Sequence, residues 1–370
     1  MMKRSKATKV TRRDLLKTAA LAGMATLLPS IWGGGAERAW AAVQSKSDES
    51  ARPDLDKAKK EGVVNFYTSL DTAIVDSILK PFKEKYGVDV KYYRAGAREV
   101  ITKVMTEWDA KALQCDVLDA SELPAFLDMK QRNMFAQYRP ESYDAIKDEK
   151  LKDKDGYWTC CRLTQVLIGY NTNVYKGDAI PKRWQDLTDP RFSGKMCLQT
   201  PEGFIPRIFC VVENLFGKDN INKGWAWLEA IGKNKPRYVQ SVQVMCQMNE
   251  TGEIPVSIFQ NDNLMARSKD NGRPVDLTWP AEGLPTEPGG VALMKTTTHP
   301  NAGKLLVDWW VGKEGQEILI KSYKYSPRND ISAPKGYPAL SSLKLWEENN
   351  EYIDKNRVEI TKRISRALGA

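Results

Sequence analysis

From Gly62 onward, short apolar runs alternate with segments whose apolar residues recur every three or four positions. Gly62-Val63-Val64-Asn65-Phe66-Tyr67 reads as a strand, and Asp71 stands at the start of a helix that runs to about Tyr86. Ile74, Val75, Ile78, Leu79 and Phe82 form one face of that helix, and Gly87 stops it. A second strand over 88–93, an amphipathic helix over 98–113, a third strand over 116–119 and a short helix over 124–129 follow. This β-α-β-α-β order predicts a parallel sheet with helices on its faces.

The apolar run over 158–170 is too long for an ordinary strand of about 5–6 residues and reads as a crossing between two lobes. A second α/β unit then appears. Strands are expected at 195–199, 237–240 and 254–259, with helices near 207–216, 220–231, 241–251 and 263–271. Segments 274–280 and 290–294 are candidates for the return. Helices near 301–310 and 315–321, and a last one within 345–368, are expected to pack back on the first lobe. The fold class is therefore α/β, two lobes joined by a hinge, each a doubly wound and mostly parallel sheet. Lobe 1 comprises 54–157 and 290–370, and lobe 2 comprises 158–289. A chain of 370 residues suits this division, because single cores stop growing at roughly 250–300 residues.

The formal charge of +9 first suggests a polyanionic partner. Its location removes that reading. Residues 1–41 carry a basic opening, Arg12-Arg13 followed by Leu15-Leu16-Lys17, an Ala/Leu-rich stretch to Leu28, and Ala39-Trp40-Ala41. They read as a twin-arginine-type export signal cleaved after Ala41, its apolar run being shorter than the roughly 20 residues of a membrane span. This segment holds eight basic and two acidic side chains, so its removal lowers the charge from +9 to +3. No dense basic cluster remains, and nucleic-acid binding is excluded. The protein is expected in the periplasm.

His299 is the single histidine, placed in a turn before a helix and read as a solvated surface residue. Triads and multi-histidine zinc sites are thereby excluded. The six cysteines show no C-x-x-C, so most read as small buried hydrophobes, with Cys197 and Cys210 as one conceivable disulfide. No Gly-rich nucleotide loop or G-x-S-x-G elbow appears. No catalytic residue, metal site or cofactor is assigned, and the chain is read as a binding protein, not an enzyme.

Open α/β sheets bind ligands at the carboxyl ends of their strands. There the chain places Thr68-Ser69-Leu70-Asp71, Arg94-Ala95-Gly96-Ala97 and Ser121-Glu122 in the first lobe. In the second it places Thr200-Pro201-Glu202-Gly203-Phe204-Ile205-Pro206-Arg207 and Gln240-Ser241-Val242. Hydroxyls, glycines and arginines suit a carboxylate, phosphonate, sulfonate or phosphate. Ser69, Asp71, Ser121 and Ser241 are equally the types that cap helices. Trp279, Phe204 and Phe259 are available as cleft walls or as core.

Several of these segments together resemble a known family. They are Tyr92-Tyr93-Arg94-Ala95-Gly96-Ala97-Arg98-Glu99, Cys115-Asp116-Val117-Leu118 leading to Ser121-Glu122, Leu167-Ile168-Gly169-Tyr170-Asn171-Thr172-Asn173, Trp184-Gln185-Asp186-Leu187 with Pro190-Arg191-Phe192-Ser193-Gly194-Lys195, Trp279-Pro280-Ala281-Glu282-Gly283, and Tyr325-Ser326-Pro327-Arg328. The chain from about Asp54 resembles family 1 extracellular solute-binding proteins. These are type II periplasmic binding proteins of ABC importers, in the branch of ferric-iron, phosphonate and hexose-phosphate binders. The resemblance implies capture of a small solute between two lobes, by a monomer, and delivery to an ABC permease in the inner membrane, with no chemistry on the ligand.

Ferric binders of this branch carry a tyrosine pair where this chain reads Ile258-Phe259-Gln260-Asn261-Asp262-Asn263, and often a histidine in the first-strand loop, absent from Tyr67-Thr68-Ser69-Leu70. Oxygen and nitrogen ligands for Fe(III) are missing at those places. Asp262 either accepts an ammonium or hydroxyls from a ligand or caps the next helix. The expected solute is anionic or zwitterionic: a phosphonate, phosphate ester, carboxylate or amino acid. Its expected contacts are Thr68, Ser69, Arg94, Gly96, Ser121, Glu122, Thr200, Gly203, Phe204, Ser241, Asp262 and Trp279. Two alternatives stand beside it, a ferric or metal-chelate binder using Tyr67, Tyr93 and Glu202, and a twin-arginine-exported periplasmic enzyme.

Overall fold

The structure, a computed structural model, describes residues 52–201 and 204–369. The export signal expected over 1–41, Glu202 and Gly203 lie outside the described residues. Asp54 caps α1 (Leu55–Glu61) by accepting the Lys57 N–H at 3.0 Å, and Gly62 ends it at a left-handed φ of 73°. The predicted alternation follows as β1 (Val63–Thr68), α2 (Thr72–Tyr86), β2 (Asp89–Arg94), α3 (Ala97–Asp109), β3 (Val117–Ala120) and α4 (Leu123–Gln131). Strand β1 pairs in parallel with both neighbours, Phe66 lying opposite Tyr92 on one side and Val117 on the other.

Strand β4 (Thr159–Asn171) has 13 residues, every one of them buried. After it come β5 (Met196–Gln199), α5 (Ile205–Asn214), α6 (Ile221–Lys233), β6 (Arg237–Val239), α7 (Val242–Thr251), β7 (Val256–Asn261), α8 (Asp262–Asp270), β8 (Val275–Thr278) and β9 (Leu284–Leu293). The chain ends with α9 (Pro300–Val311), α10 (Lys313–Ile320), β10 (Leu345–Trp346) and α11 (Asn350–Leu368). The sheet runs β2-β1-β3-β9-β4-β7-β5-β6, with β10 on β9 and β8 on β4. Its outer pairs are parallel. Its centre is antiparallel, since β9 pairs with β3 and β4, and β4 continues onto β7 and β8. The two long strands thus run from one end of the sheet's middle to the other, which is why β4 exceeds ordinary strand length.

The described residues belong to one compact unit that carries two large hydrophobic cores. One gathers Phe66, Ile74, Ile78 and Phe82 under Leu306, Trp309 and Trp310. The other gathers Ile168, Trp184, Leu198, Ile208, Phe209, Trp225 and Ile258. Helix α11 belongs to this second core through Ile353, Ile360, Ile364 and Leu368, which corrects the expectation that the C-terminal helix packs on the first lobe. The cause is a close helix crossing at Gly232 of α6, where a Cβ would stand 2.1 Å from the Ala367 carbonyl oxygen. The Tyr238 hydroxyl also donates to the Leu368 carbonyl at 2.6 Å.

Two smaller expectations also change. All six cysteines are buried free thiols, so Cys197 and Cys210 are not joined; their Sγ atoms contact the carbonyls of Val256 and Glu347. His299 is not a solvated residue: its Nδ1 lies 2.9 Å from the buried Asp116 carboxylate, which also accepts from the Thr297 hydroxyl. No helix among the described residues is long and apolar enough to cross a membrane.

Candidate functional site

A cleft of about 580 Å³ opens where the parallel strands of both halves end. Ser69, Arg94 and Ser121 enter it from the carboxyl ends of β1, β2 and β3, and Gln199, Ser241 and Asn261 from those of β5, β6 and β7. The central strands supply Arg162 and Thr164 from β4 and Glu287 from β9. Lys324 arrives from the segment after α10.

Of the residues expected to contact a ligand, Ser69, Arg94, Gly96, Ser121, Glu122, Phe204 and Ser241 line this cleft. Arg94 is partly committed: its Nε donates to the Leu70 carbonyl at 3.3 Å and its Nη2 reaches Asp71 at 3.5 Å. Asp71 also meets Arg267 of α8 at 3.4 Å, a contact between the two halves. Ser241 caps α7 by accepting the Val244 N–H, and Gly96 gives its N–H to Glu99. Phe204 lies under the Arg207 guanidinium, 4.3 Å from its ring centroid.

Four expected contacts fall elsewhere. Thr68 is fully buried, its hydroxyl donating to Asp119 at 2.6 Å and accepting the Leu70 N–H. Thr200 does not line the cleft, and its N–H ties β5 to β6 through the Val239 carbonyl. Trp279 packs edge-on against Tyr325 and Tyr337 in a separate apolar cluster. Asp262 is fully buried and does not line the cleft. It is the first residue of α8, where its Oδ1 accepts the first-turn N–H of Asn263 at 2.8 Å. The reason is a bulge: Phe259 sits at φ 63° where the pairing with β4 shifts register, so Asn261 and Asn263 face the cleft while Asp262 turns inward. Phe259 itself stacks on Trp184 as core.

The electrostatics of the cleft are mixed. Arg162 is 2% exposed and paired with the fully buried Asp119. Lys324 is 6% exposed; its ammonium donates to the Thr164 hydroxyl at 2.8 Å. Burial lowers its pKa, against the opposing attraction of Asp262. The Asp262 carboxyl is raised by the same burial, and its Oδ2 has no hydrogen-bond partner. Burial works against the charge on Arg207, but Glu287 at 2.7 Å together with Glu348 and Glu122 outweighs it and raises the pKa. Burial raises Glu122, with Arg98 opposing and Glu287 adding to the shift. On the second wall the Oδ1 atoms of Asn261 and Asn263 are buried without hydrogen-bond partners. The cleft therefore mixes cationic and hydroxyl donors with carboxylates on both walls: Asp71 and Glu122 stand with Ser69, Arg94 and Ser121, and Arg207 and Ser241 stand opposite.

The family described as bacterial extracellular solute-binding protein matches residues 115–356. The chain belongs to this family. A protein of Haemophilus influenzae is 28% identical, the match covering 71% of this chain and 77% of that one. An Fe(3+)-binding periplasmic protein of Serratia marcescens is 22% identical over 78% of this chain and 89% of its own. A putative 2-aminoethylphosphonate-binding periplasmic protein of Salmonella typhimurium is 22% identical, covering 72% and 80%. Among solved structures, the periplasmic binding protein AfuA of Actinobacillus pleuropneumoniae with fructose-6-phosphate bound superposes with a TM-score of 0.69 at 23% identity, over 83% of this chain and 99% of that one. Iron-bound HitA of Pseudomonas aeruginosa also reaches 0.69, at 18% identity, over 82% and 99%. The fold is theirs.

Sequence reasoning overlooked Arg162 and Lys324 as cleft residues of this solute-binding protein. The signal for the first was present, a lone charge inside the buried run Cys160-Cys161-Arg162-Leu163. The tyrosines of the iron alternative do not line the cleft: Tyr67 donates its hydroxyl to Glu107 at 3.0 Å, and the Tyr93 ring packs 5.3 Å from it.

Proposed function

We propose that this solute-binding protein is the periplasmic receptor of an ABC importer and closes on a small organic oxyanion bearing a second, hydrogen-bond-donating group. A phosphonate, a phosphate ester, a carboxylate or an amino acid meets that description. The observation that carries the reading is one cleft in which the donors Ser69, Ser121 and Lys324 stand among the carboxylates of Asp71, Glu122 and Glu287. The volume of about 580 Å³ lies within the range of small-molecule sites.

In this reading 54–157 with 290–344 form one lobe and 158–289 with 350–368 the other. They turn about β4 and β9, the strands shared between them. The receptor works as an exported monomer, released by the twin-arginine signal, and hands its ligand to an inner-membrane permease without reacting with it. A thermal-shift screen of phosphonates, sugar phosphates, amino acids, dicarboxylates and ferric chelates tests this. A ligand at one hundred times its Kd adds about 2.7 kcal/mol of stability. A shift confined to ferric chelates, or turnover of any of these compounds, would refute the assignment.

A further inference from the structure

Arg162 holds its neighbours in one hydrogen-bonding sense. Its Nη1 donates to Asp119, and its Nη2 donates to Ser69 Oγ and to Ser121 Oγ, each at 3.0 Å. The Ser121 N–H adds a second donor to Ser69 Oγ at 3.2 Å. A hydroxyl oxygen has two lone pairs and one proton, and a guanidinium only donates. Both lone pairs of Ser69 are therefore occupied, and one of those on Ser121. Both serines line the cleft, and no acceptor for either hydroxyl proton stands among the described residues. The backbone is shaped for this arrangement: at Gly289 of β9, a Cβ would stand 2.7 Å from the Arg162 Cζ.

We propose that Arg162 is a positioning residue that fixes Ser69 and Ser121 as paired donors to the ligand's oxyanion, which makes this corner of the cleft favour the fully ionised form of that oxyanion. The inference rests on the receptor reading above and names the chemistry of one end of its ligand. Protonation takes charge and one acceptor oxygen from the ligand, which weakens its hold on donors that cannot reverse.

The charged groups around the serines are Asp119 and Arg162 behind them, and Asp71, Arg94, Arg98, Glu99, Glu122, Arg207, Glu287 and Lys324 along the cleft. Glu122, raised by burial, loses its charge as pH falls, and Lys324, lowered by burial, becomes more fully protonated. Both changes favour anions at low pH. An affinity that instead climbs with pH reports the ionisation of the ligand.

Calorimetric titration of the mature protein with fructose 6-phosphate, phosphoethanolamine and glutamate at pH 5 and pH 8 tests the proposal, using wild type, Arg162→Lys and Ser121→Ala. The second phosphoryl proton leaves near pH 6, so a monoester should bind wild type about tenfold more weakly at pH 5 than at pH 8. In Arg162→Lys the charge beside Asp119 stays while the fork to the serines is lost. Affinity for the bound probe should fall about tenfold at pH 8, and the pH ratio of a monoester should shrink toward one. Ser121→Ala keeps the buried ion pair, should melt like wild type and should also lose about tenfold in affinity, so it decides the matter if Arg162→Lys does not fold. Binding of any probe within twofold of wild type in the folded variants, or monoester affinity that is level between the two pH values in wild type, overturns the role of Arg162 alone. Failure of all three probes to bind wild type overturns the receptor reading and this inference with it.

Discussion

Replacing Asp119 by alanine removes the partner of a charge that has nowhere else to go. The Asp119 side chain is fully buried, and its carboxylate accepts from the Arg162 guanidinium, the Thr68 hydroxyl at 2.6 Å and the Cys161 thiol at 3.2 Å. Without it a guanidinium that is 2% exposed keeps its charge and loses its counter-ion. Breaking a buried pair from one side costs about 3–5 kcal/mol, and the orphaned Thr68 hydroxyl adds about 1 kcal/mol. In a chain of this size each kcal/mol lowers Tm by about 2 °C, so Asp119→Ala should melt about 8–12 °C below wild type and lose about 4–6 kcal/mol in urea titrations. Domains have about 5–15 kcal/mol of stability, so the variant stays folded where the wild type lies in the upper part of that range. The double variant Asp119→Ala with Arg162→Met leaves no charge stranded and should recover part of the loss. A loss below about 1 kcal/mol, or strict additivity in the cycle, would show that water reaches the guanidinium and that Ser69 and Ser121 are not held as described.

Two other perturbations probe the packing. Burial, reinforced by Glu287, pushes the Glu348 carboxyl up to about 7. The native state therefore holds this proton more tightly than the unfolded chain. Its stabilising contribution is whole below about pH 4.5, declines as pH rises and is gone above about pH 7, a swing of at most roughly 3 kcal/mol. Glu348→Gln should flatten the change in urea midpoint between pH 5 and pH 8, and a variant that keeps the wild-type slope contradicts the assignment. Gly232→Ala forces α11 away from α6, because the added Cβ meets the Ala367 carbonyl and not a movable side chain. A loss of about 1–3 kcal/mol and faster proteolytic cleavage beyond residue 350 should follow, whereas unchanged cleavage would place α11 elsewhere.

Elements whose partners are close in the chain were legible, and those with remote partners were not. The face Ile74, Val75, Ile78, Leu79 and Phe82 states its own burial, and all five are buried. The run at 158–170 was too long for an ordinary strand and read as a crossing between lobes; β4 over 159–171 pairs with β9 along its first half and with β7 and β8 along its second. Strand β9 was read only from 290, because Pro285, Pro288, Gly289 and Gly290 are loop residues by local preference. It is nevertheless paired from 284 onward, against β10 and then β4. Helix α11 shows an apolar face at Ile353, Ile360 and Ile364, yet nothing in that spacing says which core it meets. A glycine more than a hundred residues earlier decides it.

The cleft divides in the same way. Loops after β1, β2, β3, β5 and β6 could be read as ligand-facing because the topology sends every such loop to one end of the sheet. Arg162 and Lys324 follow no such rule. One lies within a buried strand and the other in a connection 162 residues later, and only the folded chain sets both beside Ser69 and Ser121. An unneutralised charge inside an apolar run is too costly to be incidental, so the pattern Cys160-Cys161-Arg162-Leu163 calls for a buried counter-ion. Asp119 is that counter-ion. Because it neutralises the guanidinium through Nη1 alone, Nη2 remains to orient the two serines, and one buried pair both stabilises the centre of the sheet and sets the polarity of the site above it.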